Sequence, residues 1–216
     1  MPHKLLLLIW LLMPLQLLAQ PSVWERWGPE IVARLHTADN SEYLTEEEKK
    51  VVLFMNMARH NGLLFEDTFL KAYLLDNNLE SNKYVKSLIR DLKKTKDLQP
   101  LQIEEDLTSI AQGHAVKTGN AGRVGHQGFN KRFEPLMGNP YNHVGENCSY
   151  GYEKAIDIVL TLLIDEGVAD VGHRKNILSE EFNSVGVAIR PHKGYRVNCV
   201  IDFGRQIRSN LNEIPY

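Results

Sequence analysis

The chain changes rhythm along its length: apolar residues recur three and four positions apart through its first half and gather in β-branched runs near its end. The stretch TEEEKKVVLFMNMARHNG opens on Thr45 with Glu48 three residues on, the pairing that satisfies the free N–H groups at a helix start. Val51, Val52, Met55 and Ala58 follow at helical spacing, and Gly62 closes the run. FEDTFLKAYLL repeats the pattern through Phe69, Leu70, Tyr73 and Leu74, and SNKYVKSLIRDLKK through Tyr84, Val85, Leu88, Ile89 and Leu92, before Pro100 ends the series. From Glu104 a further helix carries Leu107, Ile110, Ala111 and His114 on one face. EKAIDIVLTLLIDEG predicts the clearest helix of the second half. The tail SVGVAIRPHKGYRVNCVIDFG is two β-branched runs joined by the turn residues Pro191 to Gly194, an antiparallel hairpin. Helices first and a hairpin last imply an α+β fold, with helices packed on an antiparallel sheet.

Three stretches lack such a rhythm. Gln20 to Leu44 is weakly patterned and reads as an extended arm across the domain. TGNAGRVGHQGFN holds four glycines, which predicts a loop rather than a regular element. FEPLMGNPYNHVGENCSYG is loop-like too, apart from a short extended piece near Cys148.

The first residues add an address. Lys4 supplies a positive start, an apolar run follows from Leu5, and Ala19 offers a small residue for cleavage, so residues 1–19 read as a secretory signal peptide. Pro14 and Gln16 interrupt the apolar run, which falls short of the roughly 20 residues a spanning helix needs. The expectation is a secreted, periplasmic or extracellular protein with no membrane span after cleavage. A net charge of −2 and the lack of a basic stripe predict no nucleic-acid partner. Export to an oxidising compartment lets the two cysteines, Cys148 and Cys199, form one bridge; the other reading is two small buried thiols.

Polar residues of matching chemistry sit in the glycine-rich connections. In the helix from Ala155 the apolar stripe is Ile156, Val159, Leu160, Leu163 and Ile164. Continued at about 100° per residue, that helix turns Asp165 away from the stripe and sets Glu166 on its flank, the better placed to reach inward toward His173 in ADVGHRKNIL. Two further loops present His126 in VGHQG and Glu146 in VGENC. Carboxylates beside imidazoles can orient the rings and present the other nitrogen to a metal. HExxH, paired CxxC and GxSxG motifs are absent from the sequence.

The segments NMARHNG, GHAVKTGNAGRVGH, GEN, GHRKNIL and the closing SVGVAI…CVIDFG hairpin resemble the CAP superfamily. This is the SCP-like domain of cysteine-rich secretory proteins, antigen 5 and plant pathogenesis-related proteins, here in its bacterial secreted branch. The resemblance covers residues 45–205, between an arm at 20–44 and a tail at 206–216, with residues 66–94 as a helical insertion. It implies a three-layer α-β-α sandwich with a central antiparallel sheet and a large cleft. The family's cavity tetrad maps onto His126, Glu146, Glu166 and His173, with His126 and His173 as ligands of zinc or another divalent cation. DEGVADV before His173 lacks the aromatic-rich stretch of eukaryotic members, which leaves Asp165 and Glu166 both open as the second acid. The family's multiple C-terminal disulfides are absent.

The remaining candidates have plainer readings. His114, on an apolar face, is expected as a hydrogen-bonded core histidine, His143 in a surface turn, and His36, His60 and His192 exposed. Ser149 lacks the elbow and oxyanion donors of a Ser-His-Glu triad, and Asn56 and Arg59 are expected to tie the first helix to nearby loops. The leading function is an exported module that binds a divalent ion and an unknown extracellular ligand or protein. Two alternatives stand beside it: a hydrolase using Glu146 or Glu166 with a histidine, and a lipid or sterol carrier.

Overall fold

The computed structural model describes residues 21–207; the leader expected over residues 1–19 and the tail from 208 onward lie outside them. The first element is α1 (Val23–Trp27), whose start is closed by Ser22 and Glu25 in a reciprocal capping box. Next comes α2 (Pro29–Leu35), with proline in its first turn. The expected extended arm is therefore helical, and it buries Trp27 and Leu35 in the main core. The indole N–H of Trp27 donates to Thr68 Oγ1 at 3.1 Å.

The long helix α3 (Glu46–His60) begins with the predicted Thr45–Glu48 box. The same Glu48 carboxylate, fully buried, accepts from the Ile189 backbone N–H at 2.7 Å and from Arg190 at 2.6 Å, so one cap also pins a strand. Then follow α4 (Gly62–Phe65), a π-helical turn (Glu66–Leu70), α5 (Lys71–Asp76) and α6 (Lys83–Leu92). After β1 (Gln102–Ile103) come α7 (Glu105–Ala121), α8 (Phe129–Phe133) and β2 (Tyr141–Tyr150). Last are α9 (Ala155–Ile164), α10 (Gly172–Ile177), β3 (Ser184–His192) and β4 (Arg196–Gln206).

The sheet runs β1-β3-β4-β2. The predicted hairpin, β3 with β4, is antiparallel, and β2 adds to β4 antiparallel across its whole length. One edge departs from the expected all-antiparallel sheet: β1 lies parallel to β3 through Gln102 and Ile103. Strand alternation divides the core into two faces. Val185, Val187, Cys199, Ile201 and Phe203 join α3 and α9 in the large cluster, while Ala188, Val200 and Cys148 meet Ala111 and Ala115 of α7. Helices on both faces of one sheet make the α-β-α sandwich.

Two loop expectations give way. The helix α7 continues through Gly119 to Ala121 and ends on left-handed Gly122. Gly119 is there for packing: a Cβ on it would lie 2.1 Å from the Pro191 carbonyl oxygen. Likewise a Cβ on Gly186 would lie 2.2 Å from the Leu107 carbonyl carbon. The polar YNHVGENCSY segment is a ten-residue strand because β4 supplies its ladder, while its outward side chains build a polar site. Asn56 and Arg59 do tie α3 to neighbouring loops: Asn56 bonds Leu35 and Leu101, and Arg59 donates to the carbonyls of Gln99, Ile177, Ser179 and Phe182.

Cys148 and Cys199 are unbridged and buried. The register explains it: Cys148 pairs with Val200 and Ser149 with Cys199, so the two thiols point to opposite faces of the sheet. A bridge between them would have to pass through the backbone. Mass spectrometry of non-reduced, denatured protein should find two alkylatable thiols and no linked peptide. A linked peptide would require a different β2–β4 register.

The close seating of α7 gives a paired test. Gly119→Ala gains about 1 kcal/mol of helix propensity but forces a carbonyl to move, at about 1–3 kcal/mol, so a net loss is expected. Gly113→Ala, in the same helix with nothing within 4 Å of its added Cβ, should stabilise by about 0.5–1 kcal/mol. Urea unfolding of both variants checks the contrast.

Candidate functional site

The loop after α7 turns on positive-φ glycines, Gly122, Gly125 and Gly128, and returns His126 over β2. It is pinned at Gly125, whose N–H donates to the Tyr150 hydroxyl at 2.7 Å and whose carbonyl meets His114 Nε2 at 2.9 Å. His126 Nδ1 then lies 2.8 Å from Glu146 Oε1. Glu146 is buried and also accepts two hydrogen bonds from Arg132 of α8, at 2.7 and 3.0 Å. Burial alone would raise the Glu146 pKa, but the hydrogen bonds from His126 and Arg132 outweigh it and hold it down at about 2. So strong an acid is a poor proton acceptor at neutral pH, which weighs against Glu146 as a general base.

Directly across the ladder from Glu146, and on the same face, stands Asp202. Both of its carboxylate oxygens are buried without a well-formed hydrogen bond. Burial and the Glu146 charge push its pKa well above the ordinary carboxylate range, favouring the neutral acid. Cys148 lies beneath His126, its Sγ 3.7 Å from Nδ1, and burial raises its pKa and keeps it a thiol.

A second pair stands at the end of α9. The helix stops at Ile164, and Asp165 adopts the left-handed conformation that ends it, φ 57° and ψ 41°. That turn folds its carboxylate back over α10, where it accepts from the backbone N–H of His173 at 2.9 Å and from the ring Nδ1 at 2.7 Å. Val171, at the start of α10, has no capping oxygen, and Asp165 supplies one from outside the helix.

This bears on the second acid, left open by the sequence between Asp165 and Glu166. Helical phasing carries only as far as the helix does, and α9 ends at Ile164. The left-handed step at Asp165 reverses the two acids: Asp165 is buried against His173, and Glu166 points outward to accept from Asn82 Nδ2 at 2.9 Å. The DEG sequence held the signal, since aspartate tolerates the left-handed region and Gly167 continues the turn at φ 86°. His173 is also part of α10 itself, in its first turn, rather than a loop residue in front of it.

Strand β2 joins the pairs. While Glu146 faces His126, its neighbour Asn147 points the other way, donates to the His173 carbonyl at 2.9 Å and accepts from Asn176 at 2.8 Å. Behind His173, Arg174 is buried and makes five distinct attachments. It donates to the Leu163 and Ile164 carbonyls ending α9, and to Tyr84 O, Ser87 Oγ and Asp91 Oδ2 of α6.

Other residues fall as follows. His114 is buried and hydrogen-bonded as expected, with its Nε2 3.9 Å from Glu146. Among the described residues, donor atoms within 4.8 Å of one another form a set of three at His114, Glu146 and Cys148, a set that lacks both His126 and His173. His192 is buried, not exposed, because its ring caps the β3–β4 turn and meets the Arg123 carbonyl at 2.9 Å. His143 is exposed on β2 rather than in a turn, stacked on Phe182. Ser149 faces the opposite side of β2 from Glu146. The sequence reading missed Arg132, which no spacing marks, and Asp202, which the alternation Val200, Ile201, Asp202, Phe203 puts on the face of Glu146.

Residues 54–203 match the family model described as CAP, the cysteine-rich secretory protein family. Protein YkwD of Bacillus subtilis is 29% identical over 109 residues, 49% of this chain and 40% of the relative. The chain thus spans less than half the length of the curated relative it matches. An extracellular SCP-domain protein from Bacillus anthracis is similar at TM-score 0.42 and 20% identity, over 60% of this chain and 42% of that one. Venom allergen-like protein 4 of Schistosoma mansoni is similar at TM-score 0.47 and 12% identity, over 76% and 92%.

The ion-paired Glu146 gives a pH signature. Its folded pKa lies below the ordinary 4.5, so its stabilisation is present above that value and is lost as pH falls toward 2. Glu146→Gln, which strands Arg132, should cost on the order of 3 kcal/mol at neutral pH. It should also flatten the fall of thermal midpoint between about pH 4.5 and 2. An unchanged acid profile would mean that the pair does not form.

Proposed function

The chain belongs to the cysteine-rich secretory protein family, CAP, and on that premise we propose that it is an exported binding module in which two carboxylate-backed histidines, one from each side of the edge strand β2, hold a divalent cation. His126 and His173 would be the ligands, and zinc the ion their imidazoles suit best. One observation carries the reading: each histidine has its Nδ1 on a buried carboxylate, His126 on Glu146 at 2.8 Å and His173 on Asp165 at 2.7 Å. A carboxylate on one ring nitrogen fixes the tautomer and leaves the other nitrogen as the free donor, the usual arrangement behind metal-binding histidines. Both rings also keep access to solvent, with 48% and 24% of their side-chain surfaces exposed.

In this reading Asp165 replaces Glu166 as the acid that positions His173. Two protein ligands leave coordination positions open for a carboxylate or carbonyl of an extracellular partner, which makes the ion a bridge rather than a structural plug. The leader-like residues 1–19 support export. Among the described residues, no helix is long and apolar enough to cross a membrane.

Calorimetric zinc titration tests the proposal. His126→Ala and His173→Ala should each greatly weaken binding, and Asp165→Asn should weaken it about 10–100-fold, while Glu166→Gln leaves it unchanged. Affinity should fall on acidification, because protons compete for the imidazoles. Zinc affinity indifferent to both histidine changes in a folded protein would sink the proposal.

A further inference from the structure

A cavity of about 620 Å³ opens between α5, α6 and the end of α9, lined by Glu166 but by neither Asp165 nor His173. Its lining includes two buried apolar residues, Val85 and Ile164. Tyr73 and Tyr152 are among its lining residues, as are Glu80 and Glu166, both at exposed positions. No lysine, arginine or histidine is among the residues that line it. We propose that this cavity is a binding site for a cationic side chain, an arginine above all, of a peptide or protein.

The chemistry of the lining is specific to that class. A guanidinium needs acceptors, and Glu166 has one to spare: Asn82 Nδ2 donates to Oε1 at 2.9 Å and leaves Oε2 open. Aromatic rings attract a cation, and the lining holds two, Tyr73 and Tyr152, with Val85 and Ile164 to suit its methylene stem. The volume falls within the range of ordinary ligand pockets, enough for one long side chain and the adjoining backbone. The formal charges in the lining have the matching sign, since Glu80 and Glu166 are its only ionisable carboxylates and no cation accompanies them. The site stands apart from the metal reading, since neither His126, Glu146, Asp165 nor His173 lines it. Two adjacent residues serve the two sides of one turn, Asp165 facing His173 and Glu166 facing the cavity.

The test titrates the whole chain, without added zinc, with the capped tripeptide acetyl-Gly-Arg-Gly-amide, followed by chemical-shift changes of the Tyr73 and Tyr152 rings. The matched peptide carries citrulline, which keeps the shape and removes the charge. The arginine peptide should bind about 10-fold more tightly than the citrulline peptide, Glu80→Gln and Glu166→Gln should each weaken it about 3-fold, and the double change about 10-fold. The thermal midpoint should stay unchanged, since both glutamates are exposed. His126→Ala/His173→Ala should leave peptide binding intact, which separates this site from the zinc proposal. Equal binding of the two peptides, or binding of neither, overturns the proposal. So does tighter binding of maltotriose that survives both Glu→Gln changes, which would make the cavity a sugar site.

Discussion

Helix α7 can lie against β3 and β4 as closely as it does only because side chains are missing between them. Gly119 meets the Pro191 carbonyl, Gly186 meets the backbone of Leu107, and Ala111 and Ala115 cover Ala188 and Val200. That closeness is what delivers the chemistry. It seats His114 where its ring can bond the Gly125 carbonyl, and the loop so anchored carries His126 onto Glu146. A helix held one side chain further out would carry this loop away from the carboxylate on β2.

The second organising fact is the two-residue alternation of β2. Glu146 and Asn147 are neighbours in sequence that serve opposite faces of one sheet: the first holds the His126 ring, the second holds the backbone of His173. Around Glu146 the charges are matched in an economical way. One arginine neutralises one carboxylate, and burial beside the Glu146 charge shifts the acid across the ladder, Asp202, toward its neutral form. Two ionised carboxylates on one buried face with a single guanidinium would leave an uncompensated charge, which burial penalises by several kcal/mol.

Much of this was legible in the residues. The Thr45–Glu48 box, the apolar stripes of α3, α6 and α9 and the β3–β4 hairpin followed from spacing, because local capping and burial of one face decide those elements. What failed did so for tertiary reasons. Gly119 in α7 resembles a breaker in a local window, whereas its role is to admit a carbonyl from another strand. The polar strand β2 exists because β4 lies beside it, a fact no local window contains. Of the expected tetrad residues, His126, Glu146 and His173 pair with carboxylate or imidazole partners, and of the two acids left open it is Asp165 that meets His173. A helix wheel cannot anticipate the residue at which the wheel stops turning.

Arg174 changes the meaning of the segment described as an insertion. Its guanidinium is buried, and most of its donors are spent on two elements: the carbonyls that end α9 and the Tyr84, Ser87 and Asp91 oxygens of α6. Asp91 is its ion-pair partner, at 2.9 Å. The helix α6 therefore is not an ornament on a finished domain. A chain trimmed of residues 83–92 would keep an arginine in its interior with no counter-charge, beside the very turn that aims His173. Modularity in this protein is thus limited by charge rather than by topology: the segment could be removed only together with the arginine it neutralises.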